Sequence, residues 1–147
     1  MARAKSRQLD RSRMRLKASV RKFLENGRVC RVATAGPGGL HVVPVCHDVA
    51  EGKIYFATDA QSQKARNLQR APRLALVADL YSEDWPRLAG VLVQGTARLI
   101  ARGPQFRRIR RLLYKKYLQY PREAALEEGD TVMVELVPQR VSSWGLD

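Results

Sequence analysis

The stretch Thr58–Leu80, TDAQSQKARNLQRAPRLALVADL, leaves a chain few ways to fold. It ends one strand, starts a short helix, stops that helix at Pro72 and enters a second strand at once. Ser62 is a good N-cap, with Asp59 as a second candidate. Ala65, Leu68 and the alkyl part of Gln69 supply an inner face. Lys64 then falls in the first helical turn, where the dipole disfavours a cation by ~0.3–1 kcal/mol. No acid lies between Asp59 and Asp79 to offset it. An anion bound at the helix start would reverse the sign, because N–H groups and a lysine would converge on it. The alternative is that Lys64, Arg66 and Arg70 extend into solvent.

Upstream, Leu16, Val20, Phe23 and Leu24 form one helical stripe within Arg11–Asn26, closed by Gly27. Residues 1–10 are basic, polar and aperiodic, and are expected to be disordered; residues 11–147 are expected to form one domain. RVCRVAT (28–34) and LHVVPVCHD (40–48) flank the turn signal AGPGG and predict a hairpin. Pro44 inside the second run makes that strand an edge or marks a bulge. KIYFAT (53–58) is a third strand, and RLALVADL (73–80) a fourth whose apolar run predicts burial on both faces. Residues 88–101 form a long strand with Gly95 as a bulge or bend. Gly103-Pro104 opens a helix ending at Tyr120-Pro121, with Phe106, Ile109, Leu112, Leu113 and Tyr117 inward and Arg107, Arg108, Arg111 and Lys115 on a basic face. After a solvated acidic linker (122–130), TVMVELV (131–137) and a short strand at 140–144 are separated by Pro138. The order does not fit βαβ alternation and predicts a mainly antiparallel barrel with helices packed outside.

Charge is distributed in blocks: +9 over residues 1–31, 0 over 32–97, +9 over 98–122 and −5 over 123–147. Such blocks favour anionic partners. No apolar run approaches the ~20 residues of a membrane span, and no signal-peptide core is present, so the expected setting is cytoplasmic. Cys30 and Cys46 are expected to be reduced core thiols. His41 and His47, six residues apart on one expected strand, lie ~20 Å from one another and share no metal. Neither a nucleophilic triad nor a phosphate loop can be assembled. Trp85 and Trp144 are candidates for stacking on a flat ligand or for filling core.

Taken together, HVVPVCHD, KIYFATD, SQKARNLQRAPRLALV, GVLVQGTARL and VELVPQRVSSWG resemble the pyridoxamine 5′-phosphate oxidase-like split-barrel flavoproteins. DWPRL ahead of VLVQGTARL is most similar to their deazaflavin (coenzyme F420)-dependent branch. The resemblance implies a Greek-key split β-barrel of about six strands, homodimeric, with two cofactor sites at the interface. It implies that the backbone of Val43, Pro44 and Val45 runs beside an FMN or F420 ring, that Ala57 and Thr58 lie near it, and that Gln63 and Lys64 grip its phosphate. Gln63-Lys64 stands where family oxidases have Arg-Lys, and the arginine-led motif of the second strand is absent; Arg66 is a substitute charge half a turn away. Hydride chemistry belongs to the cofactor, so no side chain need act as acid or base and no catalytic residue is named.

Three functions follow as expectations. The first is a flavin- or deazaflavin-dependent oxidoreductase transferring a hydride to or from a small conjugated substrate. A basic surface suits a cofactor with an acidic oligoglutamate tail better than plain FMN. The second is a non-catalytic carrier of the same fold. The third, a nucleic-acid-binding module, lacks exposed aromatics interleaved with its basic runs.

Overall fold

The computed structural model describes residues 15–146. The disorder expected for residues 1–10, and the helical start expected at Arg11, fall outside them. The elements are helix α1 (Ala18–Asn26), strands β1 (Cys30–Gly36), β2 (Gly39–Val45), β3 (His47–Ala50) and β4 (Lys53–Asp59), helix α2 (Gln63–Arg70), strand β5 (Arg73–Leu80), a 3-10 turn (Trp85–Arg87), strand β6 (Ala89–Ile100), helices α3 (Pro104–Lys116) and α4 (Tyr120–Glu123), and strand β7 (Thr131–Trp144). Leu16 precedes α1 but still packs onto the core that Val20 and Leu24 enter.

All seven strands join one antiparallel sheet in the order β2-β1-β5-β6-β7-β4-β3. That order dictates the shape. β2 and β3 are the two edges of the sheet, yet only Cys46 separates them. Laid flat, the edges of seven strands would stand ~29 Å apart at ~4.8 Å per spacing. Two peptide links span at most ~7.6 Å. The sheet therefore curls until its edges meet, and the result is a barrel split along the β2–β4 seam.

Three expectations are corrected here. The described residues hold seven strands, not six, because the run 40–48 breaks at Cys46 and its two halves pair with different neighbours, β1 and β4. His41 and His47 consequently lie on different strands. Conversely, Pro138 does not divide the last strand. Gly95 pairs with Pro138 and Gln94 with Arg140, so Gln139 is the extra residue of a bulge. The bulge leaves the proline where no ladder donor is required. Its position matches the expected one at Gly95, although the inserted residue is on β7. Pro44 sits on edge strand β2, opposite Arg31, as an edge-compatible proline should.

Burial follows from what covers each face. Ile54, Phe56, Leu74, Leu76, Val91, Val93, Val134 and Leu136 fill the barrel with α1 and Leu68 of α2. Each large side chain so buried contributes ~1.5–3 kcal/mol. A second cluster, Tyr55, Phe106, Ile109, Leu113, Tyr117 and Met133, lies between α3 and the outer face of β4 and β7. This is why Ile54, Tyr55 and Phe56 are all buried in succession. The acidic linker is not merely solvated: Leu126 is buried, Arg110 donates to its carbonyl at 3.1 Å, and Glu128 pairs with Arg107 at 3.2 Å. By contrast, β5 alternates, with Ala75 and Val77 half-exposed. The expected two-sided burial is absent because, among the described residues, no helix covers the outer face of β2, β1, β5 and β6. Leu40 (86% exposed) and Val42 share this uncovered face, as do Ala33 and Leu92 at half exposure. Among the described residues no helix is long and apolar enough to cross a membrane.

Candidate functional site: the seam between β2 and β4

β3 pairs with β4 as far as His47↔Phe56. One step further the same register would set Cys46 opposite Ala57 and Val45 opposite Thr58. Instead Val45 pairs with Cys30 and β2 swings away toward β1. The edge of β4 from Ala57 to Asp59, which pairs with β7 on its other side, thus faces a wedge opened by β2. α2 closes the wedge, packing against β1, β4 and β6.

The start of α2 is built as its sequence requires. Ser62 is the N-cap; its hydroxyl accepts from the Ala65 N–H at 3.1 Å and lies 2.9 Å from the Thr58 hydroxyl. The Asp59 carboxylate accepts from the Gln61 N–H at 2.7 Å. The N–H groups of Gln63 and Lys64 have no protein acceptor among the described residues. The first turn holds no acid. Lys64 is half-buried, and burial pulls its ammonium below the usual lysine range, partly countered by Asp59. A half-buried cation and two free N–H groups at the positive end of a helix form an anion-accepting arrangement.

A chain of side chains holds this helix start in place. The Arg66 guanidinium donates to Gln63 Oε1 at 3.0 Å, Gln63 Nε2 donates to Asn67 Oδ1 at 2.8 Å, and Asn67 Nδ2 donates to Thr34 Oγ1 on β1 at 3.0 Å. Arg66 therefore folds back toward the helix start, although helical geometry alone turns it away. Asn67 is buried, whereas Gln69, expected on the inner face, is exposed. Gly36 makes the close approach possible, since a Cβ there would collide with the Asn67 side chain. Next to Thr34 across the β1–β2 ladder stands His41, whose Nδ1 is buried without a hydrogen-bond partner. Sequence reasoning missed Thr34 and Asn67 in this role. Their only signal was a buried-side asparagine at helical spacing, which is not distinctive.

The remaining expected site residues divide. Val43 and Val45 turn their side chains into the core, so only Pro44 and the free edge of β2 are presented outward. Thr58 meets the helix start; Ala57 packs instead against the cluster beneath α3. Trp85 (68% exposed) and Trp144 (44% exposed) do not join them within one chain. Thr131 lies opposite Asp59 at one end of β7, and Trp144 is at the other end, against Gly90. Among the described residues no group of His, Cys, Asp and Glu is placed to hold a metal ion.

These features define a class, the mainly antiparallel split β-barrel with a helix plugging its seam. Residues 16–145 match the family model described as pyridoxamine 5′-phosphate oxidase, and the chain belongs to that family. No curated protein matches it. Among solved structures it is similar to the conserved hypothetical protein Rv2991 of Mycobacterium tuberculosis, with 26% identity, 89% of this chain and 85% of that one covered, and a TM-score of 0.76. A FAD-binding protein (mll6688) of Mesorhizobium loti shares 20% identity over 87% of this chain and 94% of its own, with a TM-score of 0.70. HutZ of Vibrio cholerae, described as a heme storage protein, shares 13% identity over 90% and 96%, with a TM-score of 0.73.

Proposed function

We propose that the chain is an oxidoreductase that binds FMN or coenzyme F420 in the β2–β4 seam of a homodimer. The observation that carries this reading is the half-buried Lys64 beside N–H groups that have no protein acceptor among the described residues, in a first helical turn that itself holds no acid. Lys64 and the N–H groups of Gln63 and Lys64 hold the cofactor phosphate, Thr58 and Ser62 fix the helix start, and the free edge of β2 at Val43–Val45 lies along the ring. Bound there, the cofactor supplies two-electron hydride chemistry, which the protein directs by position and polarity. Arg66, tied to Gln63, replaces part of the charge lost where family oxidases carry Arg-Lys.

Assembly completes the site. Leu92, Val77, Ala75 and Val42 form a continuous apolar face that no helix among the described residues covers and that a second copy would bury. A partner would bring its Trp85 and Trp144 toward a seam that this chain's own tryptophans do not reach. The strongly basic surface favours F420, with its anionic tail, over FMN.

A second reading, cofactor binding without turnover, draws on the lack, among the described residues, of a catalytic acid–base pair in the seam and on similar structures described as binding or storing a cofactor. The test is an absorbance and mass spectrum of the supernatant from purified, denatured protein, followed by anaerobic reduction of the bound cofactor. A flavin or deazaflavin that exchanges hydride with a conjugated acceptor supports the enzyme. The same cofactor, inert to every acceptor, favours the carrier. A haem, or no affinity for either flavin, overturns the proposal.

A further inference from the structure

A cavity of about 270 Å³ lies away from the seam, between α3 and the β3–β4 hairpin. Its floor is apolar: Ala50, the Tyr55 ring, Ile109 and Leu112. The Tyr55 hydroxyl does not enter it, being engaged with Glu135 Oε2 at 2.9 Å. The rim is cationic. Arg108, Arg111 and Lys115 succeed one another at three- and four-residue spacing along one stripe of α3. None has an ion-pair partner among the described residues, whereas Arg107, on the adjoining face, is paired with Glu128. Like charges at this spacing weaken a helix. Among the residues lining the cavity only Glu51 opposes them, from a turn in which its φ of 53° is one a non-glycine residue rarely adopts.

We infer that this cavity binds a small amphipathic anion, a compact apolar body carrying one carboxylate. An apolar floor accepts the body, and three uncompensated cations at its edge accept the charge. The volume is roughly twice the ~150 Å³ that holds a benzene ring, so the body is on the order of a dozen heavy atoms. The charge of the chain ahead of Arg15 is of the wrong sign to fill it: Arg3, Lys5, Arg7, Arg11 and Arg13 stand there against a single acid, Asp10. The site is also separate from the seam. The two lie toward opposite ends of β4, Tyr55 at the cavity and Asp59 at the start of α2, with ~13 Å of strand between. The inference therefore stands independently of the cofactor reading.

The test uses the fluorescent amphipathic anion 1-anilinonaphthalene-8-sulfonate on the full chain, with octanoate, octanol and octylamine as competitors. Octanoate should displace the probe at concentrations where octanol and octylamine do not. Arg108→Ala combined with Arg111→Ala should raise both dissociation constants by tenfold or more. Leu112→Trp should fill the cavity and abolish saturable binding, with thermal melting to check the fold, while Lys64→Ala should leave octanoate binding unchanged. Displacement by octanol as effective as by octanoate would overturn the proposal, and this arm needs no variant. So would unchanged binding in the double variant. Binding of phosphatidylglycerol vesicles without octanoate displacement would also overturn it, by making the patch a membrane contact.

Discussion

The Asn67 side chain donates to the Thr34 hydroxyl at 3.0 Å, tying α2 to β1 across the mouth of the barrel. Both residues are buried, and Asn67 also accepts from Gln63 at the helix start. The bond fixes where the first turn of α2 points. Asn67→Ala should leave Thr34 with an unsatisfied buried hydroxyl and cost about 1–3 kcal/mol in urea unfolding. Gly36→Ala should produce a similar loss by pushing the Asn67 side chain out of place. Both variants should bind cofactor more weakly without altering any residue that touches it.

Lys64→Ala separates binding from stability. Losing one charge-assisted bond to a phosphate, worth ~1.5–3 kcal/mol, should raise cofactor Kd roughly 10- to 150-fold. The apo protein should melt at the same temperature or slightly higher, because a half-buried cation leaves the positive end of the helix and alanine favours helix. Arg70→Ala, in the last turn of α2, should change Kd far less. Fluorescence titration against FMN and F420, with apo melting curves, measures both effects. Unchanged affinity in Lys64→Ala would remove the helix start from the phosphate site.

Assembly is tested on the uncovered sheet face. Leu92→Arg places a charge on a half-exposed position, so the folded monomer should lose little stability. Light scattering should show a dimer for the unaltered protein and a monomer for the variant, with cofactor affinity lost on dissociation. A monomer at micromolar concentration that still holds cofactor would contradict a shared site.

His47 predicts a pH dependence. It is buried, its Nε2 lies 2.8 Å from the Leu24 carbonyl, and its Nδ1 has no hydrogen-bond partner. Burial, reinforced by nearby Lys116, lowers its pKa from 6.5 to about 4. Between those values the unfolded chain binds a proton that the folded chain refuses. Stability is therefore full above about pH 6.5 and falls as the pH drops toward 4, by up to ~3 kcal/mol. The neighbouring Asp48 carboxyl, raised by burial, acts in the opposite sense, since above the usual carboxylate range its folded form takes up a proton that the unfolded chain does not hold. Urea unfolding across this range should show the slope, and His47→Gln should flatten it.

Much of this molecule is local chemistry and was legible in the sequence. The Ser62 cap, the stop at Pro72 and the hairpin at Gly36–Gly39 depend on neighbouring residues, and the structure shows each of them. Strand β5 has the bounds its composition gives. The position of Lys64 in the first turn follows from the cap alone. What the tertiary structure decided depends on distant partners. The break at Cys46 comes from two sheet edges competing for one run of residues. The continuity of β7 through Pro138 comes from a bulge facing Gly95. The exposure of one face of β5 arises because no helix among the described residues packs on it. The orientation of Asn67 comes from Thr34, thirty-three positions away in the chain. The convergence of Arg108, Arg111 and Lys115 over an apolar cavity exists only because α3 packs across the β3–β4 hairpin. Periodicity specifies which face of an element is apolar, but only the packed partner determines whether that face is covered, shared or left open.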